Sequence, residues 1–241
     1  MSYDSEILAD SPLFYWKGEE TSGTSATDSS SGGTFTGTYA SVTLNQTGPG
    51  TGNRAIAYNG STSNTQRSAG ALSSITSSTP FTIEVWCKGT TGASNACLLG
   101  LSSNIATAQI VALMLGGTGN VFPVLRMRND GSSGVDAFSS TPSGTSVCDG
   151  SWHHVVGTFD GTSARTYVDG SLKSTVNGGA AGTSTITRTT AGALQRTTLS
   201  FPYTGSLSRK AMYGTALSLS RIQAHYNAMS ASFPWLLLGE G

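Results

Sequence analysis

Short apolar or alternating segments recur along this chain, separated by turn-forming pairs such as Asn-Gly and Asp-Gly. Segments of this length and spacing, with few helical stretches between them, are typical of a β-sandwich or β-barrel. We expect about nine to twelve strands in one all-β domain. The clearest predicted strands cover 54–60, 81–89, 96–102, 110–116, 122–130, 152–160, 164–170, 197–203 and 205–214.

Two segments favour a helix, 4–10 near the N-terminus and 217–229 near the C-terminus. Asp4 is the expected N-cap of the first, because a short polar side chain can accept hydrogen bonds from the amides of the first turn. In the second, Ser220 and Gln223 have the spacing of a capping box. Residues three and four apart share a helix face, which here predicts a buried face of Leu219, Ile222 and Tyr226.

Adjacent histidines, His153 and His154, lie in one predicted strand and raise the question of a metal or catalytic site. Side chains alternate between the two faces of a strand, so the two imidazoles point in opposite directions. Adjacent strand residues therefore cannot share a zinc ion, and the one other histidine, His225, falls in a predicted helix. We predict one packed, hydrogen-bonded histidine and one partly exposed histidine, without a metal.

Two Asp-Gly pairs, at 160–161 and 169–170, follow this strand and the next one. Glycine readily adopts the positive φ that tight hairpin turns need. We therefore predict a meander over 152–172.

Charge is scarce in the sequence, and this limits the classes of partner. Charged residues make up 11% of the 241 residues and the formal net charge is zero, against a charged fraction of about a quarter in an average soluble protein. A chain without a basic field is poorly suited to hold a nucleic-acid backbone, so we expect no nucleic acid. No apolar run reaches the length of a membrane span, so we expect no membrane insertion.

The sequence contains three cysteines, Cys87, Cys97 and Cys148. An odd count without a C-x-x-C motif indicates neither a disulfide framework nor a zinc site. Cys87 and Cys97 flank a polar loop, so a disulfide across a hairpin is one interpretation. Buried small apolar side chains are the simpler one.

Several blocks of sequence, in order along the chain, carry a resemblance to a known family. They are "ADSPLFYWKGEE" (9–20), "GTGNRAIAYNGSTS" (50–63), "FTIEVWCKG" (81–89), "WHHVVGTFDGTSARTYVDG" (152–170) and "YTGSLSRKAMYGTALSLSRIQAHYNA" (203–228). Together they resemble the laminin-G-like domains of the concanavalin A-like jelly-roll superfamily. The resemblance implies an all-β jelly-roll sandwich of two antiparallel sheets with a short C-terminal helix. It covers 1–232 and leaves 233–241 as an apolar tail.

One difference from those domains affects a cation site. Many superfamily members hold a structural calcium with an acidic residue of the closing strand, where this chain has Ser208 and Arg209, followed by Lys210. Calcium needs several oxygen ligands, usually including carboxylates. We therefore predict no cofactor here, while calcium elsewhere in the domain stays open.

Glycosidases of this superfamily need two carboxylates that face each other across the sugar bond. The chain has five glutamates and no E-x-D-x-x-E pattern, and Glu84 is alone on its predicted strand. The motifs G-x-S-x-G and H-E-x-x-H are also missing from the sequence. We therefore predict a protein that is not an enzyme.

The opening block is similar in style to such modules in tailed-phage virion proteins, and the residues from Met1 lack the basic and apolar regions of a secretory signal. This resemblance implies a virion surface protein, either a minor tail protein or a capsid decoration, made in the host cytoplasm. Its expected partners are other virion proteins, in multiple copies or as a homo-oligomer, and host-surface glycans. The alternative is an extracellular carbohydrate-binding module of a secreted bacterial protein.

The chemistry of the side chains indicates which residues could contact a glycan. Aromatic rings stack on sugars and arginine binds anions, so the candidate ligand-binding residues are Tyr15, Trp16, Tyr39, Arg126 and Arg128. The apolar tail either tucks back into the domain or docks on a partner through Trp235, Leu236, Leu237 and Leu238.

Overall fold

The chain folds into two antiparallel sheets, with two helices on the outside of one of them. The computed structural model describes residues 2–68, 72, 79–93, 95–103, 110–128, 138–139, 144–177 and 186–232. Helix α1 spans Tyr3–Ala9, helix α2 spans Leu219–Ser230, and a 3-10 turn spans Thr118–Asn120. The strands are β1 Phe14–Trp16, β2 Ser25–Ala26, β3 Gly37–Ala40, β4 Thr43–Thr47, β5 Arg54–Asn59, β6 Asn64–Ser68, β7 Phe81–Lys88, β8 Cys97–Ser102, β9 Ile110–Gly116, β10 Phe122–Arg128, β11 Phe138–Ser139, β12 His153–Phe159, β13 Ser163–Val168, β14 Ser171–Asn177, β15 Arg188–Ala191, β16 Leu194–Gln195, β17 Leu199–Ser200 and β18 Thr204–Tyr213.

The first sheet has the order β14-β13-β12-β7-β18-β5-β4, and β1 pairs with the C-terminal half of β18. The second sheet has the order β11-β10-β9-β8-β15-β6-β3-β2. Strands β16 and β17 form a separate hairpin. Two large antiparallel sheets confirm the predicted jelly-roll sandwich.

Period-two alternation places the main core between the two sheets. In β7, Phe81, Ile83 and Val85 point into this core, while Glu84 and Trp86 point to the other side. The facing layer comes from the second sheet, whose alternate residues such as Leu99, Leu101, Val111, Leu113 and Leu125 are fully or almost fully buried. Because side chains alternate between the two sides of a strand, each strand has its apolar residues on the side that faces this core.

Both helices pack on the outer surface of the first sheet, where Tyr3, Ile7, Ile222 and Met229 cover Trp86. Among the described residues, no helix is long and apolar enough to cross a membrane.

The expected caps and buried face of the helices need correction. The side chain of Ser2, not Asp4, accepts a hydrogen bond from the Ser5 amide at 3.2 Å, because Ser2 is the last residue with extended backbone. For the same reason Ser218, not Ser220, caps the second helix. The buried face of α2 consists of Ile222, His225 and Met229, whereas Leu219 is 43% exposed.

Most of the predicted strands are present, although the described residues form eighteen strands instead of the expected nine to twelve, and the two Asp-Gly turns are as expected. Gly161 and Gly170 have φ values of 100° and 72°, and β12, β13 and β14 form the predicted meander at one edge of the first sheet. The predicted strand over 197–203 is wrong, because only Leu199–Ser200 is extended there, within the short hairpin.

The three cysteines are free and buried, so Cys87 and Cys97 do not pair. The two side chains belong to different apolar clusters: Cys87 points into the main core, and Cys97 lies on the outer surface of the second sheet.

Candidate functional site

The two adjacent histidines point to opposite sides of the first sheet, as the alternation predicts. His154 is fully buried, and its Nε2 lies 2.7 Å from Glu84 Oε1. His153 is partly exposed, with Nδ1 2.8 Å from Asp169 Oδ2 and Nε2 3.1 Å from Asp149 Oδ1. The hydrogen bond to Asp169 is the main reason why the pKa of His153 is raised.

Glu84 lies at the centre of a buried polar network between the first sheet and the helices. Its carboxylate accepts hydrogen bonds from the hydroxyls of Tyr3 at 2.7 Å and Tyr213 at 2.9 Å, and it also contacts His154. The fourth partner is His225 Nδ1, 3.0 Å from Glu84 Oε2. Each partner lies on a different element, so this one carboxylate connects α1, α2, β12 and β18 to β7.

The network holds Glu84 in its charged form. Burial alone would raise the pKa of Glu84, but the charge of His225 and the hydrogen bonds from His154 and His225 outweigh burial and hold this pKa well below its usual range. Burial lowers the pKa of His225, and the opposing charge of Glu84 more than restores it, with Asp10 adding to the effect. Since Glu84, His154 and His225 have no exposed surface, the arrangement stabilises the helices and offers no access to a substrate.

Strand β18 has Arg209 at the place where the resemblance to laminin-G-like domains implies an acidic calcium ligand. Its register shifts between Ser208 and Ala211, and Arg209 has a φ of 52° in this bulge. The Arg209 guanidinium donates to Glu19 Oε1 at 2.6 Å and to Asn53 Oδ1 at 2.7 Å. These oxygens, which would suit a calcium ion, already have a cation between them, so the residues here do not fit calcium.

The three aromatic candidates from the N-terminal region are not accessible, and the expectation that they stack on sugars is corrected. Tyr15 and Trp16 have no exposed surface and Tyr39 is 5% exposed. The Tyr15 hydroxyl donates to Asp4, the Trp16 indole donates to the Phe35 carbonyl, and the Tyr39 hydroxyl donates to Glu20. Strand β1 is buried because one of its sides faces the main core and the other lies beneath the helices.

The two arginine candidates lie on the outer surface of the second sheet, opposite the helices. Directly paired residues of neighbouring strands point to the same side of a sheet. One such row consists of Arg188, Ser102, Ile110 and Arg128, and the next row consists of Thr190, Gly100, Ala112 and Arg126. Strands lie about 4.8 Å apart, so the backbones of Arg188 and Arg128, three strands apart, are separated by about 14 Å.

The β16–β17 hairpin lies on the same surface and adds a fourth arginine. The Ser102 hydroxyl donates to the Gln195 carbonyl at 2.5 Å, and Leu194 packs against the sheet. Residue 100 is glycine, and a Cβ there would lie 2.6 Å from Ala112 Cβ of β9 and 3.0 Å from Leu194 Cδ1 of the hairpin, so the glycine permits both close approaches. The guanidinium carbon of Arg196 then lies 5.3 Å from the ring centre of Phe201.

We call Arg126, Arg128, Arg188 and Arg196 the arginine surface; all four are half-buried. Arg126 also donates to Asn95 Oδ1 at 2.7 Å. Burial and the positive charge of Arg128 lower the pKa of Arg196, which indicates that these two guanidinium groups are close. Planar guanidinium groups bind carboxylate, sulfate or phosphate in a bidentate manner, so this surface is suited to an anionic ligand.

Two members of the arginine surface, Arg188 and Arg196, were missed from the sequence. Arg188 belongs to a strand rich in threonine, and its alternation with Thr190 was the available signal. Arg196 joins the surface through the folding of the hairpin, which no local pattern indicates. Residues 235–238 of the proposed docking segment lie outside the described residues, so their role stays a prediction.

Comparison with known proteins agrees with this architecture. Residues 59–223 match the family model described as the concanavalin A-like lectin/glucanases superfamily, of the laminin-G type. The chain belongs to this family. No curated protein matches the sequence.

Solved structures similar to this laminin-G-like chain include two binding domains of bacterial toxins. The binding domain of Paraclostridial Mosquitocidal Protein 1 is 15% identical with a TM-score of 0.64, over 92% of this chain and 53% of that one. The binding domain of Botulinum Neurotoxin DC in complex with SialylT is 12% identical with a TM-score of 0.61, over 92% and 52%. This chain thus spans about half the length of these toxin domains.

A third similar structure matches along almost its whole length. Domain 4 of AbnA, a GH43 extracellular arabinanase from Geobacillus stearothermophilus, in complex with arabinotriose, is 17% identical with a TM-score of 0.61. The match covers 89% of this chain and 98% of that domain. At these identities the likeness establishes the shared fold.

Proposed function

We propose that this protein is a non-enzymatic carbohydrate-binding module that binds anionic glycans through its arginine surface. The observation that carries the proposal is the convergence of four arginines on one face of the second sheet. The carboxylate and sulfate groups of such glycans present two or three terminal oxygens that can accept paired hydrogen bonds from a guanidinium group. A chain with zero net charge that concentrates arginine on one surface can select an anionic ligand locally.

The ligands of two structural relatives support the choice of a glycan. AbnA domain 4 was solved in complex with arabinotriose, and the Botulinum Neurotoxin DC domain in complex with SialylT. Fold alone does not determine function, so the arginine surface supplies the argument for the anionic class of ligand. Several copies on one particle would strengthen weak contacts through avidity.

The test compares binding of sialylated, sulfated and uronic-acid oligosaccharides with their neutral counterparts. Replacement of Arg128 or Arg196 by Gln should weaken anionic binding roughly tenfold, since a hydrogen bond to a charged group contributes about 1.5–3 kcal/mol and partial exposure reduces it. Lys173→Gln is the matched control, because Lys173 is exposed on β14 of the other sheet. Equal affinity of the wild type for neutral and anionic glycans would refute the arginine surface as the site.

We further propose that the module is carried on a virion, as a minor tail protein or a capsid decoration. The similarity of the opening block to modules of tailed-phage virion proteins supports this proposal, and residues 233–241 would be the docking segment. Gold-labelled antibody on purified particles tests it: label at the tail or the capsid supports the virion role. Particles without label would favour the second candidate, a free carbohydrate-binding module of a secreted bacterial protein.

Two experiments separate docking and catalysis from glycan binding. Deletion of 233–241 should abolish assembly into particles while the domain stays folded; assembly of the truncated protein would exclude this segment as the docking element. Turnover on a glycan panel should be absent, because the Glu84 carboxylate, which contacts His154 and His225, is buried beneath the helices. Turnover that disappears in Glu84→Gln would refute the non-enzymatic proposal.

A further inference from the structure

A depression of about 350 Å³ lies on the opposite side of the molecule from the arginine surface. Its walls come from the start of α1, the β4–β5 turn, the bulge of β18 and the end of α2. The residues that matter for its chemistry are Asp4, Thr51, Asn53, Arg209, Met229 and Ser232. This volume lies within the range of about 300–1,000 Å³ for small-molecule sites.

The bulge in β18 brings Arg209 to this depression. Bulges re-aim side chains and are frequent beside binding sites. A non-glycine residue with a φ of 52° is strained unless its surroundings hold it in place. Arg209 is held by Glu19 and Asn53, and its side chain is 3% exposed.

The buried guanidinium keeps one hydrogen-bonding position open. Arg209 Nε makes no hydrogen bond, and it lies 3.4 Å from Asp4 Oδ1, beyond the usual hydrogen-bond distance. Arg209 Nε and Asp4 Oδ1 form an ion pair, and Asp4 is also held by Tyr15 and Lys17. Since Arg209 and Asp4 both line the depression, a fixed donor and a fixed acceptor lie side by side there. Such a pair is suited to a hydroxyl group, which donates and accepts at once.

The charges around the depression balance. Arg209 pairs with Glu19, and Lys17 pairs with Asp4 at 2.7 Å. An anion would therefore meet as much negative as positive charge in this depression. The neutral polar side chains of Thr51, Asn53 and Ser232 complete the lining beside the apolar Met229, which favours a neutral ligand with both hydroxyl and C–H surfaces.

A second depression of about 260 Å³ adjoins the first and shares Asn53 with it. Its other lining residues are Asn45, Gln46, Thr47, Gly52 and Arg54. Apart from Gly52, which has no side chain, these residues have polar side chains able to form hydrogen bonds, and Arg54 donates to Asn45 Oδ1. Two adjoining polar depressions with one common amide can hold two consecutive rings of a chain.

We propose that these two depressions form a second binding site, for a neutral disaccharide unit, with one sugar ring in each depression and Asn53 between them. The site lies on the helix-covered side of the protein and does not depend on the proposed binding of anionic glycans. A protein with both sites would contact two different parts of a glycan surface.

The test uses the full chain, labelled with ¹⁵N, and three neutral disaccharides: maltose, cellobiose and lactose. We expect at least one of them, at millimolar concentration, to shift the NMR signals of the Asn53 side-chain amide and the Arg209 Nε–H. Ala231→Trp, which places a large ring at the rim of the first depression, should reduce these shifts at least fivefold. Ala9→Trp, at an exposed alanine at the far end of α1, is the matched control and should leave them unchanged.

The outcomes separate this proposal from the arginine surface. Arg128→Gln should leave neutral disaccharide binding unchanged, even if it abolishes binding of anionic glycans. The proposal is overturned if none of the three sugars shifts the Asn53 and Arg209 signals. It is also overturned if Ala231→Trp, with an otherwise native spectrum, binds as well as the wild type.

Discussion

Replacement of Glu84 by Gln tests whether the buried network fastens the helices to the first sheet. Gln has almost the same shape as Glu, so packing around Tyr3, Tyr213 and Trp86 is retained. The change removes the negative charge and converts one acceptor oxygen into an NH2 group. That group then faces two of the four donors that now point at the carboxylate.

The expected cost follows from burial. Each buried donor left without an acceptor costs about 1–3 kcal/mol, and breaking a buried ion pair by removing one partner costs about 3–5 kcal/mol. The two unsatisfied donors and the loss of the charged partner of His225 are consequences of the same change, so their costs are not added. We expect a total cost of about 3–5 kcal/mol in the free energy of unfolding. For a chain of this size each kcal/mol corresponds to a shift of about 2–4 °C, so Tm should fall by roughly 6–20 °C.

The pH dependence gives this prediction a sign. The pKa of Glu84 is lowered in the folded state, so its contribution is present above the unfolded pKa and is lost as pH falls through the folded one. The pKa of His225 is raised, so its contribution is present below the unfolded pKa and is lost as pH rises through the folded one. The difference in the free energy of unfolding between wild type and Glu84→Gln should therefore be largest at pH values between these two folded pKa values. It should become smaller at lower pH and at higher pH.

The assay is urea denaturation of both proteins at a series of pH values, followed by tryptophan fluorescence. Tyr213→Phe, which removes one of the four donors, should cost less than Glu84→Gln, and Tyr226→Phe, at a half-buried tyrosine of α2, is the control. A Glu84→Gln protein as stable as the wild type near neutral pH would refute the reasoning. So would a stability difference that does not vary with pH.

Three further predictions concern other parts of the fold. Lys210→Met should stabilise the protein below neutral pH, because burial lowers the pKa of this lysine to about 7; the wild type should gain stability as pH rises from about 7 towards the unfolded pKa, and a Lys210→Met protein that keeps this gain in chemical denaturation would contradict it. Addition of CaCl2 or EDTA should leave Tm unchanged, since Arg209 lies between Glu19 and Asn53; a calcium-dependent rise in a thermal melt would show that the domain does bind this ion. Gly100→Ala should cost about 1–3 kcal/mol in a denaturation experiment, because its Cβ would lie 2.6 Å from Ala112 Cβ and 3.0 Å from Leu194 Cδ1, and a resulting shift of the hairpin that carries Arg196 should weaken anionic glycan binding; unchanged stability would show that β9 and the hairpin yield without cost.

Local alternation predicted the features that depend on a single strand. The opposite orientations of His153 and His154 follow from the strand period alone, and so do the meander and its Asp-Gly turns. What the period does not indicate is the hydrogen-bond partner of the buried histidine, His154. Glu84 is 70 residues from His154 along the chain, and pairing of their two strands is a property of the whole sheet.

Long-range strand pairing also explains why the aromatic candidates were wrong and why two arginines were missed. Tyr15 and Trp16 were proposed as ligand contacts from the chemistry of their rings alone, yet β1 pairs with β18 almost 200 residues later and is covered on both sides. Arg126 and Arg128 were identified by their alternation in β10. Their neighbours Arg188 and Arg196 come from a threonine-rich strand and a small hairpin, and the register across four strands is what places them together.

The two outer surfaces of the sandwich have different roles for a physical reason. The first sheet presents Glu84 and His154 on its outer side, where they are stable because the helices exclude water and add the hydrogen bonds of Tyr3 and His225 to the carboxylate. That surface is closed over its centre, and access remains at its margin, where the β18 bulge directs Arg209 to the end of α2. The second sheet is covered in part by a two-stranded hairpin, and its arginines stay half-exposed around it. The two proposals therefore assign a charged ligand to the second sheet and a neutral ligand to the margin of the first.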